Sequence, residues 1–228
     1  MVKYGQYKAI DQQVREWLDR NTGRETVSTK KRVSSVITIS REWGSRGSEV
    51  AYLLQKKLGD PWRVWDKQII EEISKRADVR DEVVKAIEDK GASQFESFFR
   101  GLLTGENFSQ HEYRRHVTSI ILALGHQGHA IILGRGGNFI LPRSFRVRIV
   151  ASRKFRIHTL TTENKVNEEE ASILMRQSDH ERAEFVKQIF NEEINSPWNY
   201  DLCLKTNYIK PKTVVDIIFQ GARDKLRI

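Results

Sequence analysis

Val36-Ile37-Thr38-Ile39-Ser40-Arg41-Glu42-Trp43-Gly44-Ser45-Arg46-Gly47-Ser48-Glu49-Val50 joins a β-branched run, a turn with two glycines and the opening of an amphipathic helix. That order builds a phosphate-binding loop, because backbone N–H groups at a helix N-terminus point outward and attract an anion. The strict pattern G-x-x-x-x-G-K-[ST] is not met. In that register Arg41 takes the first glycine, Arg46 the second and Gly47 the lysine, so only Ser48 fits. Gly44 and Gly47 let the backbone turn and come close to a ligand. Arg41 and Arg46 offer the charge that a lysine normally gives, and arginine can grip phosphate with two parallel hydrogen bonds. Ser48 offers a hydroxyl to Mg²⁺. An ordinary βα turn with two glycines would look the same locally.

Outward from this loop, strands and helices alternate. Ser35 to Ser40 reads as a first strand; a helix from Ser48 carries Val50, Ala51, Leu54 and Leu58 on one face and stops at Gly59. Trp62 to Trp65 reads as a second strand ending at Asp66, with a helix at about 68–76. Tyr113, Val117, Ile120, Ile121 and Leu124 mark an amphipathic helix closed by Gly125. Ala130 to Leu133 is a third strand and Phe145 to Ala151 a fourth. A helix follows at about 153–164. Asn167 with Glu170 forms a capping box for the next helix. Asp179 is expected to cap another, with Ala183, Val186, Ile189 and Phe190 inward. Tyr200 to Lys205 gives a fifth strand, and Pro211 opens a last helix with Val214, Val215, Ile218 and Ala222 facing the core.

Five such alternations imply an α/β fold with a parallel sheet covered on both faces. Ligands of such sheets bind beyond the C-terminal strand ends. The loops after the first three strands all start there. Gly134-Arg135-Gly136-Gly137 places an arginine between glycines just past a buried strand, where a cation can neutralise phosphoryl oxygens. Arg176-Gln177-Ser178-Asp179-His180-Glu181-Arg182 reads as a helix junction whose two flanking arginines could close over phosphates, or as a solvated helix surface. Asp66 could orient a ligand or cap the helix that follows.

The 228 residues fit one domain with a small insertion. Residues 8–20 place Ile10, Val14, Trp17 and Leu18 on one helical face, and residues 21–33 read as a basic linker, so 1–33 is an N-terminal helix and linker and 34–228 the main domain. Residues 78–112 read as a helical insertion with helices near 80–89 and 94–103. The net charge of +9 points to anionic partners. Nucleic acid is disfavoured, since the basic residues are dispersed and no recognition motif occurs. A single cysteine, Cys203, excludes an internal disulfide, fits a reducing compartment and, in its apolar run, reads as core. No apolar run approaches a membrane span, and no signal-peptide pattern opens the chain; the expectation is a soluble cytoplasmic protein. The six histidines show no metal spacing, no G-x-S-x-G elbow occurs, and the oligomeric state stays open.

The quoted loop resembles the opening of the cytidylate kinase-like proteins. In order after it come Trp65-Asp66-Lys67, Gly134-Arg135-Gly136, Val147 to Ser152 with Phe155-Arg156, Asp179-His180-Glu181-Arg182 and Asn199-Tyr200-Asp201-Leu202, together covering about 35–220. The resemblance implies a P-loop nucleoside monophosphate kinase-like three-layer sandwich: a five-stranded parallel sheet with a helical acceptor-binding insertion (about 78–112) and a lid (about 164–190). It implies ATP and Mg²⁺ as cofactors and CMP or dCMP as phosphate acceptor. Carried over, Arg41, Gly44, Ser45, Arg46, Gly47 and Ser48 would bind the donor phosphates, with Ser48 on the metal. Asp66 and Arg135 would bind the acceptor, and Arg135, Arg176 and Arg182 would serve catalysis. Gly47 stands at the lysine position, as in much of this kinase-like branch, and Arg46 replaces a more usual glycine. The alternative is a catalytically weak or inactive nucleotide-binding module of the same fold.

Overall fold

The computed structural model describes residues 35–70 and 108–228. The expected N-terminal helix and linker, most of the helix at 68–76 and nearly all of the 78–112 insertion lie outside these residues. The chain divides into two compact units, residues 1–33 with 67–126 and residues 34–66 with 127–228. In the first, helix α2 (Phe108–Gln127) is the described element. It carries Val117, Ile120, Ile121 and Leu124 buried, as its periodicity predicts. It does not close at Gly125 but runs to Gln127. Gly128, at φ 81°, takes the left-handed turn instead.

The second unit is built on five strands: β1 (Val36–Arg41), β2 (Arg63–Trp65), β3 (Ala130–Leu133), β4 (Phe145–Val150) and β5 (Leu202–Lys205). Their order is β2-β3-β1-β4-β5 and every pairing is parallel. β1 is central because its β-branched residues suit burial on both faces. Its register sets Ile39 beside Leu133 and Val147, and Ser40 beside Arg148. Successive crossovers leave β1 on opposite sides, toward β3 and toward β4. A crevice at the C-terminal strand ends follows from that reversal.

Helices cover both faces. On one side α1 (Gly47–Leu58) and α6 (Pro211–Leu226) bury Val50, Ala51, Leu54, Val214, Val215, Ile218 and Ala222 against Ile37, Ile39, Val147 and Ile149. Each buried valine, leucine or isoleucine side chain here contributes about 2 kcal/mol on leaving water. On the other side the short helix α3 (Gly137–Ile140) sits so close that a Cβ on Gly137 would lie 2.8 Å from Ile132.

Helix α4 (Arg153–Asn164) is capped by the Ser152 hydroxyl, which accepts from the Phe155 amide. Helix α5 (Glu168–Phe190) is capped by Asn167, whose side chain accepts from the Glu170 amide at 2.8 Å. Glu168, Glu169 and Glu170 in its first turn suit the positive end of the helix dipole. The expected break at Asp179 does not occur, and α5 is one helix of 23 residues. Asp179 caps nothing, because its carboxylate is taken by Arg156 of α4. Leu160, Ala171 and Met175 join the two helices in a small separate core. Cys203 is exposed rather than buried. On edge strand β5 the flanking Leu202 and Leu204 turn toward the core, and the alternation of a strand points Cys203 away.

Candidate functional site

The loop after β1 is held from three sides. Ser45 is fully buried, and its hydroxyl donates to the Glu42 carbonyl at 2.7 Å. Thr206, just past β5, donates to the Ser45 carbonyl at 2.9 Å. The Arg156 Nε donates to the Trp43 carbonyl at 2.6 Å, and Glu42 accepts from the Ala151 amide at 3.0 Å. Arg46 closes the loop as the left-handed residue before α1, at φ 62°. Its guanidinium lies on the surface, paired with Glu49 through Nε at 2.6 Å and Nη2 at 3.0 Å. Ser48 is exposed in the first turn of α1, where the amides have no carbonyl partners within the helix.

Arg41 behaves differently. Its stem lies across Gly47, where an added Cβ would come within 2.6 Å of Arg41 Cβ and 2.9 Å of Cγ. Its guanidinium reaches Gly134 at the end of β3, with Nη1 2.4 Å from where a Cβ would be. No hydrogen bond or ion pair among the described residues holds it. Burial, then the nearby cations Arg182, Arg135 and Arg148, push its pKa down to about 10, against the pull of Asp66. Arg135 is likewise pushed down to about 10 by burial. It stands in the left-handed conformation at φ 53°, its guanidinium 5.4 Å from the centre of the Phe185 ring on α5.

Arg182, projecting from α5, is lowered by burial, with Asp179 opposing and Arg156 and Arg148 adding to the shift. Its buried Nη1 makes no hydrogen bond, and the nearest Asp179 oxygen is 3.9 Å away. Arg148, only 5% exposed, reaches from β4 to donate to Ser40 Oγ and Asn195 Oδ1, each at 2.8 Å. Its buried Nε has no hydrogen-bond partner. Asp66, just past β2, accepts from the Tyr52 hydroxyl at 3.0 Å.

The structure therefore brings Arg41, Arg135 and Arg182 together around the C-terminal ends of β1 and β3, with Asp66 in the same field. Sequence reasoning missed Arg148. Its signal was the alternation of apolar residues with Arg146 and Arg148 in a strand of a parallel sheet expected to be covered on both faces, which puts a cation inside the fold. Arg176 is not part of this group: it is exposed, with Nη1 3.3 Å from Ser172 Oγ one turn back on α5. Among the described residues no cluster of three or more His, Cys, Asp or Glu could hold a metal, and no helix is long and apolar enough to cross a membrane.

Several cations crowded into one partly buried site are costly unless something compensates them. A multiply charged oxyanion does so, and arginine is the side chain best suited to bind it. An all-parallel five-stranded α/β sheet with a glycine-bearing loop after its central strand is a nucleotide kinase-like fold. The chain belongs to the cytidylate kinase-like family, whose model matches residues 36–208.

Among solved structures, an uncharacterized protein from Eubacterium ventriosum is 18% identical, with a TM-score of 0.67 over 84% of this chain and 99% of that one. At that identity the likeness bears on the fold alone. Shikimate kinase from Bacteroides thetaiotaomicron is 12% identical, with a TM-score of 0.47 over 85% of this chain and 99% of that one. Dephospho-CoA kinase from Campylobacter jejuni is 12% identical, with a TM-score of 0.35 over 85% of this chain and 98% of that one. No curated protein matches the chain at a significant level.

Proposed function

We propose that this protein is an ATP-dependent phosphotransferase of the cytidylate kinase-like type. It moves the γ-phosphate of ATP to a nucleoside monophosphate, CMP or dCMP by family resemblance, or to a related small phosphoacceptor. The observation that carries this reading is the convergence of Arg41, Arg135, Arg148 and Arg182 at the C-terminal strand ends, with buried guanidinium atoms left without hydrogen bonds.

Phosphoryl transfer asks a protein mainly for positioning and for charge against the equatorial oxygens. On this reading the amides at the start of α1 and Arg41 bind the donor phosphates. Arg135 and Arg182 neutralise the group in flight. Asp66, aligned by Tyr52, orients the acceptor. Mg²⁺, when bound, would be held by the Ser48 hydroxyl and would supply positive charge to the donor phosphates. Arg176 belongs at most to the outer surface of the lid.

The test is turnover. The full chain with ATP and Mg²⁺ should convert CMP or dCMP to its diphosphate, and Arg135→Ala should reduce that rate without unfolding the protein. A folded wild type inert toward a panel of nucleoside monophosphates and small phosphoacceptors would refute it.

A second reading, a nucleotide-binding module with weak or no catalysis, is favoured by Gly47. A lost electrostatic donor of that kind costs other enzymes about 3–4 kcal/mol of transition-state stabilisation. Calorimetric binding of ATP without any product would select this reading.

A further inference from the structure

We propose that Arg41 takes the place of the P-loop lysine, and that Gly47 is glycine because the Arg41 stem fills the space a side chain there would need. This deepens the phosphotransferase reading and rests on it for the identity of the anion.

Two cations in the loop could supply the lysine's charge, and the structure separates them. Arg46 is exposed and spends one edge of its guanidinium, Nε and Nη2, on Glu49. Arg41 is enclosed, and among the described residues its guanidinium has no hydrogen bond or ion pair. Arg182, Arg135 and Arg148 act on it as like charges, and Asp66 is the acid acting on it. It is a cation in a field where like charges outnumber the one acid, a setting suited to an anionic ligand.

The steric half is independent of the charge. At Gly47 the obstructing atoms are Cβ and Cγ of Arg41, at 2.6 and 2.9 Å. The Cβ is fixed by the backbone of β1 and cannot swing aside in any rotamer. A lysine at 47 is thus excluded for as long as Arg41 keeps its stem. At Gly134 the obstructing atom is the terminal Nη1, the mobile end of the side chain. A methyl group there would displace the guanidinium instead of being rejected. The charge is delivered from the last residue of the strand rather than from the first turn of the helix, and the two arrangements exclude each other.

The experiment combines calorimetry of ATP with Mg²⁺ and thermal unfolding on the full chain, for wild type, R41M, R41G, G47K and the double variant R41G/G47K. R41M keeps a stem and loses the charge, so it should bind ATP at least about tenfold more weakly with little change in Tm. G47K should lower Tm by about 4–8 °C, from overpacking against the stem. In R41G/G47K, which removes the Cβ of residue 41 as well, the vacated space should admit the lysine, restoring Tm to that of R41G and raising ATP affinity above that of R41G.

R41M binding ATP as tightly as wild type overturns the cationic role. G47K melting at the wild-type temperature overturns the steric exclusion. A wild type that binds no ATP overturns the phosphotransferase reading together with the role of Arg41, while the Tm comparison still decides the packing of residue 41 against 47.

Discussion

Arg156 holds both carboxylate oxygens of Asp179 through one nitrogen, at 2.8 and 2.7 Å, while its Nε holds the carbonyl of Trp43 at 2.6 Å. One buried guanidinium thereby ties the loop after β1 to the middle of α5. Breaking such a pair leaves an uncompensated charge and a loop carbonyl without its donor. Arg156→Ala should therefore lower stability by about 3 kcal/mol. Urea titration checks this: the midpoint should fall with the slope unchanged.

Arg41 and Arg135, both near 10, set a pH limit on the site. Binding an anion needs them protonated. ATP affinity should stay level through neutral and mildly alkaline pH and then fall as pH passes about 10, where ordinary arginines would still be charged. The sign for stability is opposite. A base whose pKa is lowered in the fold is favoured there in its neutral form, so deprotonation relieves the cost of burying it. Calorimetry across this range, with circular dichroism to confirm folding, should show the fall. R41M should remove the contribution of Arg41 and leave that of Arg135.

Asp201 joins β4 to α6. It accepts from the Arg146 amide at 2.8 Å, from Arg146 Nη2 at 3.1 Å and from Lys225 Nζ at 2.6 Å. Burial alone would raise its pKa, but these donors outweigh burial and hold it below 3.8. Its contribution is present above the unfolded value and is lost as pH falls through the lower folded value. Asp201→Asn should cost about 1–2 kcal/mol at neutral pH. The gap from wild type should close at acid pH, as the folded carboxyl takes up its proton. Urea midpoints at the two pH values decide it.

Cys203 lies on the open side of edge strand β5. Its thiol is pushed up by partial burial, against the pull of Arg148. The thiolate is the reactive form. A maleimide should modify the folded protein at one site, slowly at neutral pH and faster as pH rises. Labelling that needs denaturant would contradict the exposure of this side chain.

The sheet was legible where composition is unambiguous. Ala130-Ile131-Ile132-Leu133 is wholly apolar and ends at Gly134, so β3 lies where its residues say. Asn167, read as a cap with Glu170, bounds α5 by a local hydrogen bond, and local signals survive without tertiary knowledge. Long-range pairing does not. Asp179 looks like a cap because nothing nearby reveals Arg156, which comes from another helix. Arg148 looks like a solvent-facing strand residue because Ser40 and Asn195, its partners, lie far off in sequence. In the site, the glycines and Arg135 carried a visible signal, whereas the division of labour between Arg41 and Arg46 rests on which of them meets Glu49.

The continuity of α5 has a mechanical consequence. A helix of 23 residues is a rod of about 34 Å. It carries Asp179 and Arg182 near its middle. Phe190 at its far end stacks on Phe139 of α3, with ring centres 4.9 Å apart. With no interruption inside it, the rod has nowhere to bend. A movement of α5 that brought Arg182 toward a bound phosphate would therefore be passed along the rod to the Phe190–Phe139 contact, beside the turn that bears Arg135.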